Sequence, residues 1–272
     1  MITTELSTDS PRSHEFVALL DTLREIPWNS VTACRGWTVH EVVAHLVAGA
    51  VALAEQAEAY LEGKPIPPFG SWEERDSSFR AINSSELYLL FDSTEERMTR
   101  AFDAISAVDP YTVIPEGGWG LNVHHLALHM RQEYAIHRWD FIGDDALGDE
   151  LLALPELLEH SVSKLDQWLL ARGLQNSDTS VASRDEQTGS PSELPFRAWI
   201  RSEGEPDLMI ETSNGTGRMQ FTSFTGNEGF VEADPAARLL MIWGRHPQTA
   251  NRIRSTLPME SLVRLTGLLL GF

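Results

Sequence analysis

Four of the nine histidines fall within residues 124–137, in the string HHLALHMRQEYAIHRWD. His129, Glu133 and His137 are spaced four apart, so on a helix they lie along one face, and Asp140 follows three residues later on nearly the same face. Leu126 and Met130 complete that face, which predicts that it points inward. Imidazole and carboxylate groups are donors that a divalent cation takes. One helix cannot finish such a site: eight residues rise ~12 Å, whereas metal–ligand bonds are ~2 Å. One adjacent pair can bind, and a further donor must come from another helix, as in bundle metal sites generally. His45, among Val42, Val43, Ala44 and Leu46, is a plausible partner, since a buried imidazole needs one. His40, five residues earlier, lies about 140° around the helix and should face away. The same spacing also fits an ion-pair stripe with Arg131 or Arg138, and a lone His on an apolar face also fits a satisfied core residue. His14, His124, His125, His160 and His246 read as capping or surface groups.

The elements that must position these residues are mostly helices. Phe16, Leu19, Leu20 and Leu23 recur at helical spacing over 12–26. Thr38 followed by Glu41 fits a capping box opening a second helix that runs to about Leu61, and Gly63 with the Pro-rich stretch after it ends that helix. A third helix opens at Asn83 and continues through Phe102. A fourth, over 122–142, carries the donors. A fifth spans 149–172, with Pro155 in or near its first turn. Four or five such helices argue for a bundle over residues 1–174. Residues 175–194, rich in Ser, Thr, Asp and Gly, read as a linker. Beyond it the period changes. Strands are expected over 196–201, 208–211, 219–223 and 229–232, with a turn at Asn214-Gly215. Asp234-Pro235 opens a helix, and 258–270 is the last one. The expected fold is therefore mainly α with a smaller C-terminal α+β domain over 195–272.

Composition narrows the function. The 272 residues are 42% hydrophobic and 22% charged, which is globular. The formal net charge of −19 would repel nucleic acid. Apolar runs such as 47–54 fall short of a membrane span, and the first residues lack the basic and apolar regions of a secretory signal. With one cysteine, Cys34, no internal disulfide forms, and a reducing, cytoplasmic setting is expected. Expected partners are small molecules, with neither nucleic acid nor membrane, on a monomer or homodimer.

Gly36-Trp37-Thr38-Val39 with Ala44-His45-Leu46, then Glu133-x-x-x-His137-Arg138-x-Asp140, and later Leu239-x-x-Ile242-Trp243-Gly244-Arg245, resemble the mycothiol-dependent maleylpyruvate isomerase family. The likeness runs over nearly the whole chain. It implies a DinB-like up-down helical bundle followed by a small α+β domain. It also implies a divalent metal, usually Zn2+ with another ion such as Ni2+ as an alternative, held by His45, Glu133 and His137. Three ligands of this kind leave a coordination position open, as in catalytic zinc sites. The resemblance further implies a thiol from solution, mycothiol or a similar low-molecular-weight thiol, acting on a small electrophile. Addition, rotation and elimination would isomerise a cis alkene such as maleylpyruvate, and addition alone would be conjugation.

Cys34 lies eleven residues before His45, ~16 Å along a helix, and reads as a buried, inert thiol rather than the nucleophile. Asp140 is expected either to orient His137 or to pair with Arg138. Arg245 is a candidate carboxylate clamp or a structural arginine at a helix end, and Arg80 is a second candidate clamp. Trp119 and Trp139 line the pocket or pack the core. The same donors would also serve a metal-dependent hydrolase or a non-catalytic metal-binding protein.

Overall fold

The computed structural model describes residues 12–114, 120–181, 195–224, 226, 228–249 and 251–269, in two compact units, residues 1–142 and 143–272. The first unit is the helical bundle. α1 (His14–Glu25) starts where the Ser13 side chain accepts from the Phe16 amide, and it buries Phe16, Leu19, Leu20 and Leu23. α2 (Val39–Leu61) opens on the expected capping box, with Thr38 and Glu41 each accepting the other's backbone amide. Short α3 (Trp72–Phe79) opens on a second box, Ser71 with Glu74. α4 (Ser84–Ser106) is capped by Asn83. At the head of α5 (Val123–Ile142) the Asn122 side chain accepts from the His125 amide.

In this bundle α2 packs along α4 and α3, and α5 packs on α1. Phe16, Phe91 and Tyr134 interlock with ring centroids 5.0–5.9 Å apart, joining α1, α4 and α5. α2 is long and apolar enough to cross a membrane by length and composition. Its apolar side chains, Val42, Val43, Val47 and Ala54 among them, are instead buried within the unit.

The second unit starts earlier than the sequence suggested. The expected fifth helix is three helices: α6 (Ala146–Leu152), α7 (Pro155–Lys164), with Pro155 in its first turn, and α8 (Asp166–Val181). All three fall in the second unit, so the boundary lies at residue 142 rather than 174. Helical periodicity reports that a face is buried, not which unit buries it. Residues 175–181 of the expected linker continue α8, and 182–194 lie outside the described residues.

The sheet of this unit comprises β1 (Phe196–Arg201), β2 (Leu208–Ser213), β3 (Thr216–Phe221), β4 (Phe230–Ala233) and β5 (Ile253–Ser255). Its order is β3-β2-β1-β4-β5, antiparallel except where β4 lies parallel to β1. Asn214 and Gly215, both at positive φ, make the turn between β2 and β3. Asp234 caps α9 (Pro235–Ile242) as expected, and α10 (Met259–Leu268) follows. α8 packs on β3 and α10. That last approach requires Gly173, where a Cβ would sit 2.0 Å from the Leu268 carbonyl oxygen. The short β5 has no counterpart among the expected strands.

Candidate metal centre

The loop before α2 brings its start onto the end of α5. Val31 pairs with Thr38, the Thr32 amide donates to the Trp37 carbonyl, and the Trp37 amide donates to the Cys34 carbonyl. Gly36 makes this tight reversal at φ +85°, a region costly for other residues. The Ala33 amide then donates to the Asp140 carbonyl at 2.9 Å. Thus Cys34, which a helical rise would set far away, lies against α5.

Donor atoms of His45, Glu133 and His137 lie within 4.8 Å of one another. The His45 Nδ1 is 2.9 Å from Asp76 Oδ2. An ionised carboxylate only accepts, so Nδ1 carries the proton and Nε2 presents its lone pair. His137 stands between two carboxylates, with Nδ1 2.8 Å from Asp140 Oδ2 and Nε2 3.3 Å from Glu133 Oε2, and without a cation it donates to both. The rings of His45 and His137 meet edge to face, with centroids 6.3 Å apart. Trp37 packs against the His45 ring and carries the Arg80 guanidinium on its own face.

Electrostatics show how the site is balanced. Burial opposes ionisation of Glu133, but the hydrogen bond from His137 and the charges of His129, His137 and His45 outweigh it and hold the carboxyl at about 2. Burial likewise opposes protonation of His137. The Cys34 sulfur, Asp140 and Glu133 overturn that and raise it well above the ordinary histidine range. Carboxylates of Asp76, Glu133 and Asp140 therefore surround two imidazoles, and the protein draws a proton to His137. A divalent cation among the three donors would take the place of that proton, and the donor set fits zinc by ligand type.

Other residues are placed as follows. His129 is buried, its Nε2 3.7 Å from the second oxygen of Glu133, and burial lowers its pKa. It stands outside the convergent set, as helical rise requires. His40 turns away to Ser84 Oγ and the Arg80 carbonyl, each at 3.1 Å. Arg131 pairs in bidentate fashion with Glu15 on α1, and His129 and His137 are buried, so a solvated ion-pair stripe is not what the helix forms. His160, expected at the surface, is buried. Arg245 is buried in the second unit just past α9, with Nη1 donating to the Trp243 carbonyl at 2.8 Å. Trp139 is a buried packing residue, and Trp119 lies outside the described residues.

Spacing does not mark Asp76, because it lies on α3, a helix of only eight residues. The Ser71-x-x-Glu74 signature was the available signal.

Residues 11–142, almost the whole bundle unit, match the model of the mycothiol maleylpyruvate isomerase N-terminal domain family. The bundle unit is thus similar to this domain family. Two solved structures share its fold: a mycothiol-dependent maleylpyruvate isomerase, and a variant of it with one histidine replaced by alanine. They are 15% and 14% identical, cover 89% of this chain and 88% of theirs, and superpose with a TM-score of 0.60. A comparison with curated protein sequences finds no match. For the isomerase family fold, a helical bundle followed by an α+β domain, both units are thus accounted for.

Proposed function

We propose that this chain is a divalent-metal enzyme, with zinc the preferred ion, that uses a low-molecular-weight thiol such as mycothiol to isomerise or conjugate a small electrophile. The observation that carries the reading is the convergence of His45, Glu133 and His137 donors within 4.8 Å, inside a bundle similar to this domain family. Bound there with three protein ligands, the ion would keep a position open and lower the pKa of a thiol brought to it.

The chain's own residues set the geometry. Asp76 and Asp140 hold the two imidazoles with Nε2 toward the centre, and Glu133 supplies an anion that stays ionised down to about pH 2. Trp37 packs against the His45 ring and restrains its tilt. Thiolate addition to a cis alkene forms a C–S bond and leaves a single bond free to rotate. Expulsion of the same thiolate restores the alkene as the trans isomer, with no net change of atoms or electrons. Conjugation stops after the addition, with a proton completing the adduct. A reducing cytoplasm suits such a thiol.

Metal analysis of the purified chain, followed by turnover of maleylpyruvate with and without mycothiol, tests the reading. Near-stoichiometric zinc and thiol-dependent turnover are expected, and His45→Ala and Glu133→Ala should each lose the metal while the bundle stays folded. Full metal occupancy with turnover indifferent to thiol would overturn the thiol chemistry. Unchanged metal content in either variant would overturn the ligand assignment.

A further inference from the structure

The Cys34 thiol occupies a defined place that the three donors leave unused. Its Sγ lies 3.0 Å from Asp140 Oδ2 and 3.7 Å from His137 Nδ1. That same Oδ2 receives the His137 Nδ1 proton at 2.8 Å. Cys34, His137 and Asp140 form a second group of convergent side chains, all buried, and it shares only His137 with the first. The sulfur therefore stands on the Nδ1 side of the ring, away from the side that faces Glu133. The backbone fixes it there: the Cys34 amide donates to Thr32 Oγ1, its carbonyl accepts from Trp37, and the neighbouring Ala33 amide donates to the Asp140 carbonyl. Asp140 is thus gripped by this loop at both its main chain and its carboxylate.

We propose that Cys34 is a positioning residue of the metal centre: its thiol donates to Asp140 Oδ2 and fixes the carboxylate that in turn fixes His137. The proposal rests on the metal reading of the preceding subsection and gives this thiol a role other than that of ligand or nucleophile. Partners of this kind orient ligating histidines, and their loss typically weakens metal binding about 10–100-fold. Cys34 acts through Asp140, one step further out, so the lower end applies.

The test measures zinc affinity of the full chain by chelator competition, together with thermal stability without metal. Cys34→Ala should weaken zinc binding about tenfold. Cys34→Ser, whose hydroxyl also donates, should retain wild-type affinity. In an Asp140→Ala background, Cys34→Ala should change affinity no further, because the carboxylate that transmits its effect is gone. A merely structural cysteine would lower metal-free stability and leave affinity untouched. Equal affinity in Cys34→Ala and wild type, a serine variant as weak as the alanine one, or an additive loss in the double variant would each overturn the proposal. Absence of zinc binding by the wild-type chain would instead overturn the metal reading itself.

Discussion

Replacing Asp76 by alanine separates the proposed metal centre from the stability of the bundle. Asp76 is fully buried on α3, and its Oδ2 holds the proton of His45 Nδ1 at 2.9 Å. Without that acceptor the His45 ring loses its fixed tautomer, although the edge contact with Trp37, at 5.5 Å between centroids, still restrains its tilt. A loss at the lower end of the range for such partners is expected, about tenfold in zinc affinity, or ~1.4 kcal/mol. The metal-free chain should respond differently. Asp76 Oδ1 is buried with no hydrogen-bond partner among the described residues, and the Arg80 guanidinium, a third exposed, lies 3.8 Å from Oδ2. Removing a buried carboxylate so poorly compensated relieves a desolvation cost that offsets the lost contacts. Unfolding of the metal-free variant by urea should therefore shift by no more than ~1 kcal/mol. Chelator competition and urea titration on the same preparations supply both numbers. Unchanged zinc affinity would refute the orienting role, and a fall in affinity matched by an equal fall in metal-free stability would show that α3 is only a structural support.

Two further predictions concern stability. Glu95 is buried on α4, and burial, only partly relieved by its hydrogen bond from Thr99, raises its carboxyl from 4.5 to about 7. The folded state then holds a proton between those values that the unfolded state has released, so this contribution is full below pH 4.5 and is lost as pH rises through 7. Glu95→Gln should raise stability at pH 8 by up to ~3 kcal/mol and flatten its dependence between pH 5 and 8 in denaturant titrations. A variant no more stable than wild type at pH 8 would refute the buried ionisation. In the second unit, Arg252 joins Asp144 and Asp149 of the α6 region to Asp234 at the cap of α9. Arg252→Met should destabilise that unit by about 2 kcal/mol, less than for fully buried pairs because Asp149 and Asp234 keep access to water; unchanged unfolding would show the cluster to be solvated.

Much of this architecture is legible because helix starts and candidate donor spacings are short-range. Thr38 with Glu41, Asn83 with Glu86 and Asp234 with Pro235 each mark the start that the structure shows. The four-residue interval from Glu133 to His137 places both donors on one face. What escaped the sequence reading depends on contacts that spacing does not encode. The helices over 146–181 had the periodicity of bundle helices, yet their apolar faces meet the sheet unit, as at Gly217, where a Cβ would sit 3.1 Å from Leu170. Helix α3 opens on the same signature as α2, Ser71 with Glu74, but its eight residues carry too little apolar periodicity to mark a helix. A distance along a helix sets Cys34 far from His45, but the chain before α2 is a doubled-back loop.

The two candidate histidine ligands show the same division within one site. Each needs an acceptor on its far nitrogen, because an imidazole left free to turn presents the wrong tautomer about as readily as the right one. His137 finds its acceptor three residues on, in Asp140, a distance that any helix fixes by itself. His45 finds Asp76 thirty-one residues away on a separate short helix. Local unfolding of α3 would therefore release His45 while leaving the Glu133–His137 pair formed on α5. The non-local ligand is the one whose loss should open the centre first.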